Sequence, residues 1–391
     1  MDVTGVTFSF FLIFTGAAIF ASIALYTRQP LIIAYIALGA VIGPYGFSLV
    51  TDLRLLSDIG HVGIIFLLFL LGLDMQPQAL WATLRKSTFV ALISSAIFMV
   101  LGMAVARSFG FNLIDSVIIG AAMMFSSTII GIKLLPTTVL HHRHIGELMI
   151  GLLLLQDLIA ILVLMVLFSG ASSDSGEMGI QLGLSLLSLP LLVLGALLVV
   201  RYLLLPLITR FDRFHEYIFL LALGWCLGLA EIAKFCGLSE EIGAFIAGIA
   251  IATSPISQYI AVNLRPLRDF FLILFFFAVG AQFDLVLFGE VLAPAIVLSL
   301  MMLALKPVAF RFLLKGVSEK RSLAWDLGFR LGQLGEFSLL IAYVAVANAM
   351  ITQQASLLIQ ATTIITLLVS SYIVVLNYPT PIAISDRLRR D

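Results

Sequence analysis

Four ionisable side chains of this chain lie deep within long apolar runs. Asp157 sits in GLLLLQDLIAILVLMVL with Gln156 beside it, Lys306 in LSLMMLALKPVAF, and Arg330 and Glu336 in GFRLGQLGEFSLLIA. Placing such a group at mid-membrane costs at least about 2.5 kcal/mol on insertion scales, so each is a candidate for function. A buried carboxyl can hold either a proton or a metal cation, which makes Asp157 the leading site for competition between the two. The neutral carbonyl oxygen of Gln156 is a suitable hard ligand for an alkali cation. As i, i+1 neighbours the two side chains point about 100° apart on a helix, so both reach one ion only at a helix junction. Lys306 has three readings. It neutralises Asp157, it snorkels to the interface where Arg311 follows, or its ammonium compensates helix ends as a cation leaves and a proton enters.

Two further segments look like interrupted helices. MMFSSTIIG packs Ser126, Ser127 and Thr128 into an apolar run, and LGQLGEFSL supplies two glycines with Gln333, Glu336 and Ser338. A broken helix exposes amides and carbonyls that membrane depth tolerates only where they line a site. The competing explanation is a hydroxyl bonding back to the preceding turn.

Positioning these groups is the work of helices. Of 391 residues, 61% are hydrophobic and 11% charged, against roughly a quarter charged in soluble domains, which excludes a water-soluble fold. Apolar runs between charged or Pro/Gly breaks predict spans at roughly 6–25, 30–48, 58–73, 86–107, 114–136, 145–168, 180–205, 216–237, 240–257, 266–283, 290–313, 322–347 and 354–377. These runs are continuous rather than alternating, so the predicted class is an all-α polytopic membrane protein of about 13 helices and not a β-barrel. The 22 Lys and Arg balance the 22 Asp and Glu, which argues against nucleic acid as a partner. Basic residues gather in alternate loops: Arg85 and Lys86, then Arg201, Arg210 and Arg213, then Arg265 and Arg268, then Arg311, Lys315, Lys320 and Arg321. The bias predicts an amino terminus outside and a carboxyl terminus in the cytoplasm, in a multi-pass inner (plasma) membrane protein surrounded by lipid. The run from His141 to His144 falls on the predicted inner side as basic loop decoration. Cys226 and Cys236, ten residues apart on one helix, face different ways and predict neither disulfide nor metal site. No phosphate-binding fingerprint accompanies a strand, so no ATP drive, cofactor or enzymatic activity is expected.

The chain also repeats. Pro44 matches Pro255 at an offset of 211, Gly72 matches Gly280 at 208, and Ser127 matches Phe337 at 210. That offset shifts the chain by seven spans, an odd number, so the second copy is inverted across the membrane. The expected organisation is one transporter domain over about 1–378. It comprises a first repeat (about 6–168), a linker helix (about 180–205), a second repeat (about 216–377) and a short cytoplasmic tail (379–391). The pairs Gly39 with Gly43 and Gly224 with Gly228 are expected to mark close helix packing.

FSSTI, then LLLLQDLIAI about thirty residues on, then a lysine in ALKP and the segment GQLGEFSLL together resemble the monovalent cation:proton antiporter-2 family. The Gln-Asp pair is similar to its Kef-type potassium efflux members. The resemblance implies crossing broken helices, a mobile core bundle with elevator-like movement, and a homodimer. It puts the cation and proton site on Asp157, Gln156, Ser126, Ser127 and Thr128, near Lys306 and Glu336, and Gln333 and Arg330 join them in supporting roles. The chain departs from the family pattern in two places. It stops about a dozen residues after its last span, and the expected acidic regulatory loop is here QYIAVNLRPLRD, mainly basic. Both departures weigh against glutathione gating and leave room for a separate cytosolic regulatory subunit. The expected activity is electroneutral exchange of a monovalent cation, K⁺ favoured, for H⁺. Sodium exchange and a gated cation channel are the alternatives, and organic-anion symport has thin support.

Overall fold

An apolar segment can satisfy its backbone inside a bilayer by coiling, and all regular elements among the described residues are helical. The computed structural model describes residues 6–27, 29–50, 53–74, 77–128, 131, 144–170, 178–211, 213–236, 238, 240–254, 256–316 and 319–380. The helices are α1 (Val6–Tyr26), α2 (Leu31–Ile42), α3 (Leu53–Asp74), α4 (Pro77–Ser108), α5 (Leu113–Ala122), α6 (His144–Gly170), α7 (Met178–Val199) and α8 (Leu205–Arg210). They continue with α9 (His215–Phe235), α10 (Glu240–Ala252), α11 (Ile256–Ala281), α12 (Leu285–Gly316), α13 (Arg321–Arg330), α14 (Glu336–Ala347) and α15 (Gln353–Asn377). Among the described residues six helices are long and apolar enough to cross a membrane, and shorter apolar helices include Leu31–Ile42, Leu113–Ala122, Ile242–Ala252 and Glu336–Ala347.

The differences from the expected spans have local causes. A π-helical turn, Val200–Leu204, joins α7 to α8, with Leu205 N–H reaching back to Val200 O. Pro206 follows directly and has no N–H to donate, so the widened turn accommodates it without ending the helix. QYIAVNLRPLRD is not a loop but part of α11, because Ile260, Ala261 and Leu264 continue a buried face through it. α2 stops six residues before its expected end, at Gly43, where the chain turns back to bond Phe47 N–H to Val41 O (2.7 Å). The fifth and twelfth expected spans are each broken. Most of the second half of the fifth, together with His141–Arg143, Pro255 and most of the tail, lies outside the described residues.

The chain divides into two units. The second, residues 51–80 and 165–278, packs α3, α10 and α9 around Phe69, Cys226, Ala247 and Ile251. Lipid is as apolar as leucine, so helices associate there by fit rather than by the hydrophobic effect. Gly72 and Gly248 provide that fit: a Cβ on Gly72 would lie 2.5 Å from Phe245 O, and one on Gly248 2.2 Å from Phe69 O. The first unit, residues 1–50, 81–164 and 279–391, holds α1, α2, α5, α12–α15 and most of α4 and α6. There a Cβ on Gly280 would meet Ile36 O at 2.0 Å, so α11 ends in backbone contact with α2. Thus Gly72 and Gly280, matched in the sequence repeat, both seat a helix against a neighbour's backbone. Gly224 and Gly228 do not: among the described residues nothing lies within 4 Å of a Cβ built on either.

Candidate functional site

The site is built where two helices come apart. α5 ends at Ala122, Met123–Ser127 is unwound, and helix resumes at Thr128, with Gly131 N–H bonding to Ser127 O (3.0 Å). α13 ends at Arg330, 331–335 is unwound, and α14 starts at Glu336. The two unwound stretches cross in contact. A Cβ on Gly335 would stand 2.7 Å from Ser126 O, so the second glycine of LGQLG is what the crossing requires.

Hydroxyls tie the crossing in both directions. Ser126 Oγ donates to Leu331 O (2.8 Å) and Ser338 Oγ to Ala122 O (2.6 Å). Each bond therefore ends on a carbonyl at the close of the other segment's first half-helix. Ser127 Oγ donates to Glu336 Oε2 (2.9 Å), a contact between residues 209 apart, close to the repeat offset. α15 caps the second segment through Thr366 Oγ1, which accepts from Leu334 N–H (3.2 Å).

A helix carries roughly half a negative charge at its C-terminal end and half a positive one at its N-terminal end. Two C-terminal ends meet here, and Lys306 sits between them. Its ammonium donates to Phe125 O (2.8 Å), Gln333 O (3.1 Å) and Ser126 Oγ (3.4 Å), over the Phe98 ring at 5.3 Å. An ammonium has three donors and these contacts use all three. Lys306 thus sits among carbonyls just past the two C-terminal ends, and among the described residues it makes no ion pair with Asp157.

The carboxyls stand at the opposite, N-terminal ends. Glu336 is the first residue of α14, and Asp157 accepts from Thr128 Oγ1, where helix resumes, at 3.2 and 3.3 Å to its two oxygens. Asp157 is 1% exposed and Glu336 7%, and the two carboxyls are held by neighbouring hydroxyls of one segment, Thr128 and Ser127. Gln156 Oε1 accepts from Ser126 N–H (3.1 Å), and among the described residues its buried Nε2 has no partner. The i, i+1 neighbours therefore converge on one segment, 126–128, because that segment is a helix junction. The geometry offers a carboxyl, an amide oxygen and hydroxyls facing positive helix ends, with the Lys306 side chain behind them.

Eight of the nine expected residues are in this network, Gln333 by its carbonyl to Lys306 and by its Oε1, which accepts from Ser370 Oγ (3.0 Å). Arg330 is engaged elsewhere. Its Nε meets Asp326 Oδ1 at 2.7 Å, its NH2 donates to Pro379 O (2.9 Å), and its guanidinium lies 5.8 Å from the Tyr378 ring. These contacts tie the end of α13 to the chain after α15. Sequence reasoning missed Phe98, Phe125, Thr366 and Ser370, whose parts in the site depend on neighbours remote in sequence. It also missed the 2% exposed Asp115, which accepts from Thr352 N–H (3.1 Å) and Thr352 Oγ1 (2.9 Å) and so joins the starts of α5 and α15. The Asn112 and Asp115 spacing at a helix start was its available signal, since Asn112 Oδ1 caps Asp115 N–H at 2.8 Å.

Comparison with known proteins agrees with this architecture. The chain is 27% identical over 347 residues to the iron transporter MagA of Paramagnetospirillum magneticum, covering 88% of this chain and 79% of that one. It is 28% identical over 349 residues to K(+) efflux antiporter 4 of Arabidopsis thaliana, covering 87% of this chain, and it spans 58% of that relative's length. Its fold is similar to that of the sodium proton antiporter MjNhaP1 of Methanocaldococcus jannaschii, with a TM-score of 0.70 and 18% identity over 95% of this chain and all of that one. The family model for the transmembrane sodium/hydrogen exchanger matches residues 10–376, and the chain belongs to that family.

Proposed function

We propose that the chain is a secondary transporter that exchanges a monovalent cation for a proton at Asp157. The observation that carries this reading is a buried carboxyl bonded to a helix junction whose neighbouring hydroxyl holds a second carboxyl, while the nearby Lys306 is occupied by backbone carbonyls. A cation would take Asp157, the Gln156 oxygen and hydroxyls from the 126–128 segment as ligands, and a proton arriving on the carboxylate would release it. The residues 126–128, 156, 157, 306 and 336 all belong to the first unit, which suits a core that carries its ion from one face to the other in an elevator-like movement. The amino terminus is placed outside and the carboxyl terminus in the cytoplasm of the inner membrane. Dimerisation and a separate cytosolic regulatory subunit complete the proposal.

The named cargoes of the related proteins are iron, potassium and sodium, so likeness does not choose the ion. We favour K⁺, with Na⁺ as the second reading because an amide oxygen, hydroxyls and a carboxyl serve both. The test is purified protein in liposomes with a pH-sensitive dye, challenged with K⁺, Na⁺ and Li⁺ in turn. Cation-driven proton flux is expected for at least one ion and is lost in Asp157→Asn. Flux that survives that substitution overturns the assignment, and flux with Na⁺ but not K⁺ replaces the favoured ion.

A further inference from the structure

Asp115 is a buried carboxylate that the exchange site does not use. It is 2% exposed, lies in the first turn of α5 and is met by three donors. Thr352 N–H donates to its Oδ1 (3.1 Å), while Thr352 Oγ1 (2.9 Å) and Asn112 Nδ2 (3.0 Å) donate to its Oδ2. Thr352 stands in the short turn between α14 and α15 and is the N-cap of α15, where its Oγ1 also accepts from Ala355 N–H (3.2 Å). The contact therefore joins the start of one broken helix's first half to the chain just past the second half of the other.

α5 and α14 pack against each other, and their polar ties show that they run antiparallel. At the crossing, Ser338 Oγ in the first turn of α14 donates to the carbonyl of Ala122, the last residue of α5 (2.6 Å), and the Phe125 and Phe337 rings lie 6.4 Å apart. At the far end, Asp115 holds Thr352. Along α5 the two ties are separated by a rise of about 10 Å. Residues 117–122 of α5 and 339–342 of α14 are all apolar, and apolar contact is non-directional, so it prescribes no register of its own. The hydrogen bonds at the two ends do. Register matters because Ser127, just past α5, donates to Glu336, the first residue of α14 (2.9 Å), and Thr128 follows it onto Asp157 (3.2 Å). A slip of α5 by one residue along α14, about 1.5 Å, would take Ser127 out of hydrogen-bonding range of Glu336 and carry Thr128 away from Asp157.

We propose that Asp115 is a positioning residue for the exchange site. By accepting both donors of Thr352 it fixes α5 against α14, and so sets how well the 126–128 segment holds a cation with Asp157. It acts through the bonds it accepts rather than by drawing cations with its charge. The inference rests on the exchange reading, and one of its two readouts does not depend on transport.

Cation-driven proton flux in liposomes is measured against K⁺ and Na⁺ concentration and normalised to folded protein. Asp115→Ala is expected to weaken apparent cation affinity by about tenfold while changing the maximal rate by less than about twofold, the cost of a small misplacement of ligands. Loss of folded protein alone would lower the flux and leave the affinity where it was. Asp115→Asn keeps an acceptor for Thr352 N–H and is expected to stay within about twofold of the parent; affinity as weak as that of Asp115→Ala would show that the charge itself acts and would overturn the positioning role. Thr352→Val keeps the N–H and removes the hydroxyl, so it should weaken affinity by about threefold, and it decides the matter where Asp115→Ala does not fold. Gln354→Ala is the control. It breaks an exposed bond to Glu290 (2.6 Å) at the start of α15 and should match the parent. Amide hydrogen exchange in detergent is the second readout: faster exchange is expected at 123–127 and 331–335 in Asp115→Ala. Unchanged hydrogen exchange there, or unchanged cation affinity in both Asp115→Ala and Thr352→Val, overturns the proposal. Flux surviving in Asp157→Asn would instead remove the exchange reading, and the hydrogen-exchange pattern would then decide by itself whether Asp115 holds the crossing.

Discussion

Among the described residues Lys306 has no carboxylate partner, and it donates to carbonyls just past the C-terminal ends of two half-helices, whose partial charges sum to about one negative charge. Replacing it with methionine removes that compensation and leaves Phe125 O and Gln333 O without their donor, at about 1–3 kcal/mol for each buried carbonyl. Lys306→Met is therefore expected to unfold at a lower temperature in detergent than the parent. The double variant with Asp157→Asn separates two explanations. If Lys306 stabilised the fold by pairing with Asp157, removing both charges would recover stability; compensation of helix ends predicts no recovery. Gln156 has a similar double role, since its oxygen is both a cation ligand in the proposed site and the acceptor for Ser126 N–H. Gln156→Leu should thus weaken cation affinity and also loosen the junction, read as a lower midpoint in the same thermal scan.

The element that matters most is the crossing of the two broken segments. Its breaks were visible in sequence because hydroxyls and glycines interrupt apolar runs, and the breaks fall within MMFSSTIIG and LGQLGEFSL as expected. What the pattern left open was how the two segments touch. Ser126 and Ser338 reach across to carbonyls more than 200 residues away, and no local periodicity encodes such a partner. A methyl on Gly335 would meet Ser126 O at 2.7 Å and its carbonyl carbon at 2.8 Å, both of them backbone, so the segments would have to separate. Gly335→Ala is expected to abolish exchange and reduce folded yield. Gly224→Ala, where a Cβ meets nothing within 4 Å, should leave both unchanged. Equal tolerance at the two positions in size-exclusion and flux assays would show that the crossing is not tightly held.

At the scale of the whole molecule, one carboxylate that trades one monovalent cation for one proton moves no net charge. Exchange is therefore expected to be insensitive to an imposed membrane potential in valinomycin-clamped or ionophore-clamped liposomes, and current accompanying flux would demand a second titrating group, with Lys306 the first to replace. The all-α class followed from 61% apolar residues in continuous runs, because a bilayer leaves a spanning backbone few other ways to satisfy itself. The rarity of charge at depth likewise singled out Asp157, Lys306, Arg330 and Glu336 as the groups to explain. Sequence could not divide their labour, because each partner depends on which remote backbone lies within about 3 Å. Tertiary structure put Lys306 on two carbonyl ends, Asp157 and Glu336 at the opposite helix ends, and Arg330 on Asp326 and Pro379. Composition and run length determined the solvent and the secondary structure, which are local matters; the electrostatics of the site came from where distant helices end.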